Sequence, residues 1–322
     1  MTKKIPKTAV GFVTYGESTA KYLPYFLASL EKQTLFSQLE FLVYDNSFEK
    51  DTSNRDYINR NYPLWSVMGS GRNLGFAAAY NVLFRKAMEK GSEYFLALNP
   101  DLILEPDAIE FLVQGIKRDP TLGSVSPKIL KWDFERNKKT DIIDTCGIEL
   151  KKGLRFTDLG QGEKDEGQYD NKGILGPSGA AALYDLSALK RVEVSGQYFD
   201  EMMFMYKEDC DLAYRLYLEG FGSICVGSSV FYHDRTASGK KGGDLKAALN
   251  RKSKSKQVKK WSFLNQQIIF LKYWKIQDFS SKLSIIWFQF RILFFVLFFE
   301  TYLIKEWLKL PRLSKGIKRY HL

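Results

Sequence analysis

The sequence predicts an α/β protein built on a mainly parallel sheet flanked by helices, and three observations carry that expectation. From residue 5 to about residue 130, short apolar runs alternate with amphipathic segments, as successive strand and helix units do. Several runs are continuously apolar, which suits strands covered on both faces. At 322 residues with 45% hydrophobic and 26% charged side chains, the chain can bury a full core and still carry an appendage.

Taken in order, Ala9 to Tyr15 reads as a strand; its apolar run, broken by Gly11 and Thr14, is too short for a signal peptide. Lys21 to Gln33 reads as a helix, Leu39 to Tyr44 as a strand and Trp65 to Met68 as a short strand. Phe76 to Lys90 is a helix, Phe95 to Leu98 the next strand, and Pro106-Asp107 opens another helix before a short strand around Val125. From about Lys131 to Gly176 charged and Gly-rich sequence takes over, expected to be a long loop or hairpin insertion at residues 131–175. Order returns with a strand at Ser178 to Tyr184, a helix at Asp209 to Glu219 ended by Gly220, and strands at Ile224 to Val226 and Val230 to Tyr232. These boundaries suggest a domain over residues 1–240 and a basic, aromatic-rich helical region over residues 241–322.

Three cysteines, Cys146, Cys210 and Cys225, are an odd number without metal-binding spacing, so a reducing, cytoplasmic setting is expected. The net charge of +11 is concentrated: nine Lys or Arg and one acid lie between Lys240 and Lys260, six and one between Lys305 and Arg319. These segments flank Leu283 to Ile304, which is rich in Phe but interrupted by Arg291 and Glu300, with at most eight consecutive apolar residues. A spanning helix needs roughly 20. Gln289 and Glu300 lie nearly opposite Ser284 and Arg291 on a helical wheel, so no single polar face exists. Attachment at the interface of an anionic membrane, peripherally on its inner face, is the expectation.

Four stretches hold candidate chemistry. In FLALNPDLIL, Phe95 to Leu104, an apolar strand is stopped by Asn99-Pro100 and delivers Asp101 to the sheet edge where ligands bind in open α/β sheets. Asp101 is either a ligand for a metal or a plain turn residue. Gly69 to Gly75 resembles a dinucleotide loop but has Leu74 where the third glycine belongs. It remains a Gly-rich turn with Arg72 and Asn73 at its mouth, able to face a phosphate. Glu208, Asp209 and Asp211 sit at a helix start, where capping explains Asp211; one of Glu208 and Asp209 is a candidate general base. His233, beside Asp234, is a candidate metal ligand that completes a set with Asp101.

Seven stretches in order, VTYGE (Val13 to Glu17), VYDNS (Val43 to Ser47), GRNLGFAAAYN (Gly71 to Asn81), ALNPD (Ala97 to Asp101), GPSGAAAL (Gly176 to Leu183), FMYKEDCDLAYR (Phe204 to Arg215) and YHDRTAS (Tyr232 to Ser238), resemble the family 2 glycosyltransferases. Within that family they look most like the bacterial rhamnosyltransferase-type enzymes, over roughly residues 8 to 240. The resemblance implies a GT-A fold, a nucleotide-sugar donor, a divalent cation (Mg²⁺ or Mn²⁺) and inversion at the anomeric carbon. By position it implies that Thr14, Tyr15 and Asp45 hold base and ribose, that Arg72 and Asn73 lie along the nucleotide or diphosphate, and that Asp101 and His233 hold the metal. Asp209 matches the general base, with Glu208 its neighbour. Asn99 stands where many members have a first acid of the D-x-D motif; the rhamnosyltransferase-type members share this NPD form, and Asn99 is left to contact the ribose or a metal-bound water.

The function that follows is transfer of a sugar, L-rhamnose from dTDP-β-L-rhamnose, to a polyprenyl-diphosphate-linked glycan in cell-surface polysaccharide synthesis. Gly176 to Ala180 and the insertion are the candidate acceptor contacts. A UDP-galactofuranose or UDP-hexose donor is the alternative within the class, and homo-oligomerisation is left open. A nucleic-acid-binding protein using the basic run is the alternative outside it, but that run lacks interleaved aromatics and such a role leaves the ordered acids unexplained.

Overall fold

The structure, a computed structural model, describes residues 6–234 and 255–317. Most of the Lys240 to Lys260 basic run, Arg235 to Ser238, Arg319 and His321 lie outside the described residues.

The first half is laid down as strand and helix in turn. β1 (Thr8–Thr14) is followed by α1 (Gly16–Ala20) and α2 (Leu23–Glu31), β2 (Leu39–Asp45) by α3 (Ser53–Asn61), and β3 (Ser66–Gly69) by α4 (Gly75–Glu89). β4 (Tyr94–Leu98), β5 (Leu102–Leu104) and α5 (Ala108–Lys117) complete it. The helix expected over Lys21 to Gln33 is α2, with Pro24 in its first turn, and the short α1 before it was not expected. α3 was not expected: among its nine residues only Asn54 and Ile58 are buried, too few to print an apolar period on the sequence.

The second half adds β6 (Leu122–Asp133), β7 (Lys138–Thr145), β8 (Ile148–Lys151), β9 (Arg155–Asp158), β10 (Ala181–Asp185), α6 (Leu186–Arg191), α7 (Glu208–Leu218) and β11 (Gly222–His233). The main sheet runs β3-β2-β1-β4-β10-β6-β11-β5, with β7 paired to β6. β3, β2, β1 and β4 are mutually parallel, and β6 pairs in parallel with β11, whereas β10 is antiparallel to both its neighbours. Helices cover both faces. Phe12, Phe26, Leu98, Leu112 and Val125 share one core with α2 and α5; Ala9, Phe84, Phe95, Phe199 and Leu212 share another with α4 and α7. Gly11 is required where these layers meet, since a Cβ there would stand 2.1 Å from the Phe95 ring.

The insertion is more ordered than its charge suggests. β7 extends the sheet, and β8 and β9 form a separate hairpin. Lys128 on β6, nearly buried, pins the far part of the insertion through ion pairs to Asp165 (3.0 Å) and Asp170 (2.7 Å). The two strands expected around Ile224 and Val230 are a single twelve-residue strand, β11, with a register shift between Val226 and Val230.

Two long helices close the described chain: α8 (Lys256–Tyr273) and α9 (Phe279–Phe299), then the short α10 (Ile304–Trp307) and α11 (Leu310–Ser314). α8 was not expected as a separate element. Its Ile268, Ile269, Phe270 and Tyr273 pack with Phe156, Cys210 and Tyr214. α9 spans 21 residues, about 32 Å at 1.5 Å per residue, and is by length and composition long and apolar enough to cross a membrane, with 11% of its apolar window buried. Ser284 Oγ donates to the Lys152 carbonyl (3.3 Å) and Gln289 to Gln267 on α8, and just past its end Glu300 pairs with Lys259 (3.2 Å). Phe279, Trp287, Phe290, Phe294, Phe298 and Phe299 are exposed.

Candidate active site

The sheet edge after β4 gathers the predicted acids. β4 pairs with β10 so that Leu98 lies opposite Ala181, and the Asn99 N–H donates to the Ala180 carbonyl at 2.9 Å. One residue back, the Gly179 N–H donates to Asp209 Oδ2, also at 2.9 Å. Asn99, the small-residue stretch before β10 and the start of α7 therefore form one mouth. Small side chains at 179–182 allow this close approach.

On the other side of the Asn99-Pro100-Asp101 turn, β11 pairs with β5 so that His233 lies opposite Leu102. This places His233 Nε2 3.2 Å from Asp101 Oδ2 and Nδ1 2.9 Å from Asp144 Oδ2. Burial lowers the His233 pKa, but the carboxylates of Asp101 and Asp144 outweigh it and push it up to about 10. Asp101 Oδ1 is buried with no hydrogen-bond partner. With its pKa raised, His233 stands as an imidazolium paired with Asp101, so a divalent cation fits here by displacing the Nε2 proton, with the orphaned Asp101 oxygen beside it. Among the described residues no group of three His, Cys, Asp or Glu stands ready to hold an ion. The protein's share of such a site is the Asp101 and His233 pair.

The three acids of α7 have three different surroundings. Asp209 is partly exposed, its Oδ1 accepting from the Cys210 N–H (2.8 Å). Glu208 is 4% exposed, with Oε2 unpartnered; burial pushes its carboxyl well above the usual range, and the Asp209 charge adds to this. Asp211 is fully buried. Burial alone would raise its pKa, yet the Lys272 and Arg215 charges outweigh burial and lower it. Asp211 is thus a structural ion-pair partner in addition to its place in the first turn.

At the ends of β1 and β2, Thr14 and Asp45 are both fully buried and turned on each other, Thr14 Oγ1 donating to Asp45 Oδ1 at 2.9 Å. The Ser47 hydroxyl donates to the same oxygen (2.6 Å), and Arg55 approaches Oδ2 at 3.5 Å. Tyr15 is exposed, its ring edge-on to exposed Phe48 at 6.2 Å between centroids. Arg72 is exposed at the mouth of the Gly-rich turn, and Asn73 Oδ1 accepts from the Gly75 N–H (2.8 Å). Buried Asn46 holds that turn, donating to the Gly75 carbonyl and accepting from the Leu74 N–H, both at 3.0 Å.

Sequence reasoning missed Asp144, Asn46 and Phe48. Asn46 and Phe48 sit in or beside VYDNS and were within reach of it. Asp144 stands in KKTDIIDT, where nothing separates a fully buried acid from solvated ones.

The profile of glycosyl transferase family 2 matches residues 10–193. An N-acetylglucosaminyl-diphospho-decaprenol L-rhamnosyltransferase of Mycobacterium tuberculosis is 29% identical over 254 residues, covering 74% of this chain and 78% of that protein. Among solved structures, GalNAc-T7 with UDP, GalNAc and Mn²⁺ superposes with a TM-score of 0.56 at 16% identity, over 72% of this chain and 44% of that one. S. aureus TarS superposes at 0.51 and 17% identity, over 85% of this chain and 41% of that one. The match spans less than half of either solved chain, and at these identities it speaks to the fold alone. The mixed sheet with helices on both faces is the GT-A arrangement the motifs implied. Profile and relative together show that the chain belongs to glycosyl transferase family 2.

Proposed function

We propose that the protein is an inverting, cation-dependent rhamnosyltransferase that moves L-rhamnose from dTDP-β-L-rhamnose to a polyprenyl-diphosphate-linked glycan at the inner face of the membrane. The observation that carries it is the single mouth between Asp209 and the Asp101 and His233 pair, joined through Gly179, Ala180 and Asn99. The Mycobacterium relative supports L-rhamnose as the sugar and a lipid-linked acceptor. The exposed aromatic face of α9 and the basic segments beside it support attachment to an anionic surface.

In this reading Asp209, the accessible acid, takes the proton of the acceptor hydroxyl as that oxygen attacks C1 of the sugar. The C1 to diphosphate-oxygen bond breaks on the opposite face, so one displacement turns a β donor into an α-rhamnoside. Burial disfavours the charged form of Glu208, which leaves the partly exposed Asp209 as the acceptor of the proton. Asp101 and His233 would hold a divalent cation, which would supply charge opposite that developing on the departing diphosphate. Asp144, behind His233, accepts from Nδ1–H and so turns Nε2 toward Asp101. Arg72 and Asn73 line the diphosphate path. Tyr15 offers its face to the base, and Asp45 and Thr14 shape the ribose side from beneath.

Release of nucleoside diphosphate, with and without EDTA, tests the donor: dTDP-L-rhamnose is expected to turn over and UDP-galactofuranose and UDP-hexoses are not. Turnover only with a UDP-sugar would move the assignment to the other donor class. Asp209→Asn is expected to cut turnover by about 10²- to 10⁴-fold while nucleotide-sugar binding stays within twofold; retained turnover removes the base assignment.

A further inference from the structure

Of the seven non-glycine residues with positive φ among the described residues, three fall within four positions, immediately before α7: Phe204 (+33°), Tyr206 (+73°) and Lys207 (+74°). Such conformations cost free energy and persist only where neighbours over-determine them. Lys207 is the residue from which α7 starts, and its side chain makes no capping hydrogen bond. The strain therefore sits one and two residues ahead of Glu208 and Asp209.

What holds this loop comes from the C-terminal region. Asn265, mid-way along α8 and 2% exposed, aims its side-chain amide at three carbonyls of the loop: Met203 (2.8 Å), Met205 (2.9 Å) and Tyr206 (2.6 Å). An amide nitrogen carries two protons, so the three acceptors share them, an arrangement only a converging loop allows. Trp261, one helical turn earlier on α8, lies against the Phe204 ring with 5.1 Å between centroids. The Phe204 carbonyl in turn accepts from the Phe76 N–H at 2.7 Å, at the start of α4. Beyond the acids, Lys272 on α8 reaches Asp211 (2.6 Å) and Asp200 (2.9 Å), and the Tyr273 hydroxyl donates to Asp211 Oδ1 (2.8 Å). α8 thus grips the chain on both sides of Glu208 and Asp209.

We propose that α8 is a positioning element of the transfer site, with Asn265 the residue that holds the 203–207 loop in its left-handed path and so fixes where the Asp209 carboxylate stands over Gly179. The catalytic part of this proposal rests on the assignment of Asp209 as the base. Asn265 touches neither donor nor acceptor in this scheme; it acts through the loop.

The test uses full-length Asn265→Ala and two readouts. Amide hydrogen exchange over residues 204–208, measured with no donor present, is expected to speed up at least tenfold while β1 and β4 keep their protection. Turnover of dTDP-L-rhamnose is expected to fall at least tenfold with KM within twofold of the parent. Adding Lys207→Gly, which takes φ near +74° without the side-chain penalty, is expected to recover turnover at least threefold, a rescue that general loosening of α8 would not show. Unchanged exchange, or a turnover that glycine does not raise, overturns the proposal. Exchange is read without substrate, so a wrong donor or a wrong base leaves that readout intact and shows up separately in the donor screen and in Asp209→Asn. If the alanine variant aggregates, Asn265→Ser, which keeps one hydroxyl donor, is read in the same way.

Discussion

α8 and α9 lie next to each other in the chain, and both are long helices with many apolar residues, yet they are attached in opposite ways. α8 buries Asn265, Gln266, Gln267 and Lys272 along with its apolar residues, and each of these polar side chains meets a partner: loop carbonyls, the Leu154 carbonyl, Gln289 and the Asp200 and Asp211 pair. α9, the more apolar of the two, touches the domain through a few residues and turns most of its Phe outward. Hydrophobicity alone does not decide which helix joins a domain. Buried polar contacts to the loop, Asp200 and Asp211 lock α8 into the domain; α9 makes fewer, chiefly to Lys152 and to α8, and its outer apolar stripe remains available to another surface.

The largest expected effect comes from undoing that lock. Lys272→Met leaves Asp200 buried without the Lys272 cation and Asp211 with Arg215 alone, and is expected to lower the unfolding free energy by about 3–5 kcal/mol, measured by denaturant titration. A loss below about 1 kcal/mol would put α8 on the same loose footing as α9. Next, Phe294→Ser with Phe298→Ser on α9 is expected to leave stability within about 0.5 kcal/mol and to weaken sedimentation with phosphatidylglycerol vesicles at least tenfold. A large drop in stability with vesicle binding unchanged would reverse the contrast.

The smallest effect separates the two buried acids of α7. Asp211, with its pKa lowered by Lys272 and Arg215, contributes stability that is present above its ordinary carboxylate pKa and is lost as pH falls through the lower folded value. Glu208, raised by burial, does the opposite: stability is greatest below its ordinary pKa and is lost as pH rises toward the folded value. Glu208→Gln is therefore expected to stabilise the protein by about 1 kcal/mol at neutral pH and to have no effect near pH 3, read from thermal unfolding at the two pH values. Equal effects at both would mean that the carboxyl is not charged in the unfolded reference or is not buried.

The first half was legible because its strands are apolar runs ended by turn residues, and VTYGE, VYDNS and ALNPD each fall at a strand end. Asp101 and His233 were legible as types at strand ends and Asp209 at a helix start, and their convergence follows from β4, β10 and β11 sharing one sheet and from the Gly179 contact to α7. α8 was not legible: its buried face carries Asn265, Gln266, Gln267 and Lys272, so burial leaves no apolar period to read. β7 hid for a related reason. Its outer part is exposed and its inner end buries Asp144 and Thr145 by hydrogen bonding.

Asp144 lies on β7, within the stretch most easily taken for an exchangeable flap. A chimera that replaces residues 131–175 to change the acceptor would also remove the carboxylate that orients His233. Loop grafting at this position therefore has a natural cut: β7 stays with the host, and a graft beyond Thr145 keeps Asp165 and Asp170 for the buried Lys128.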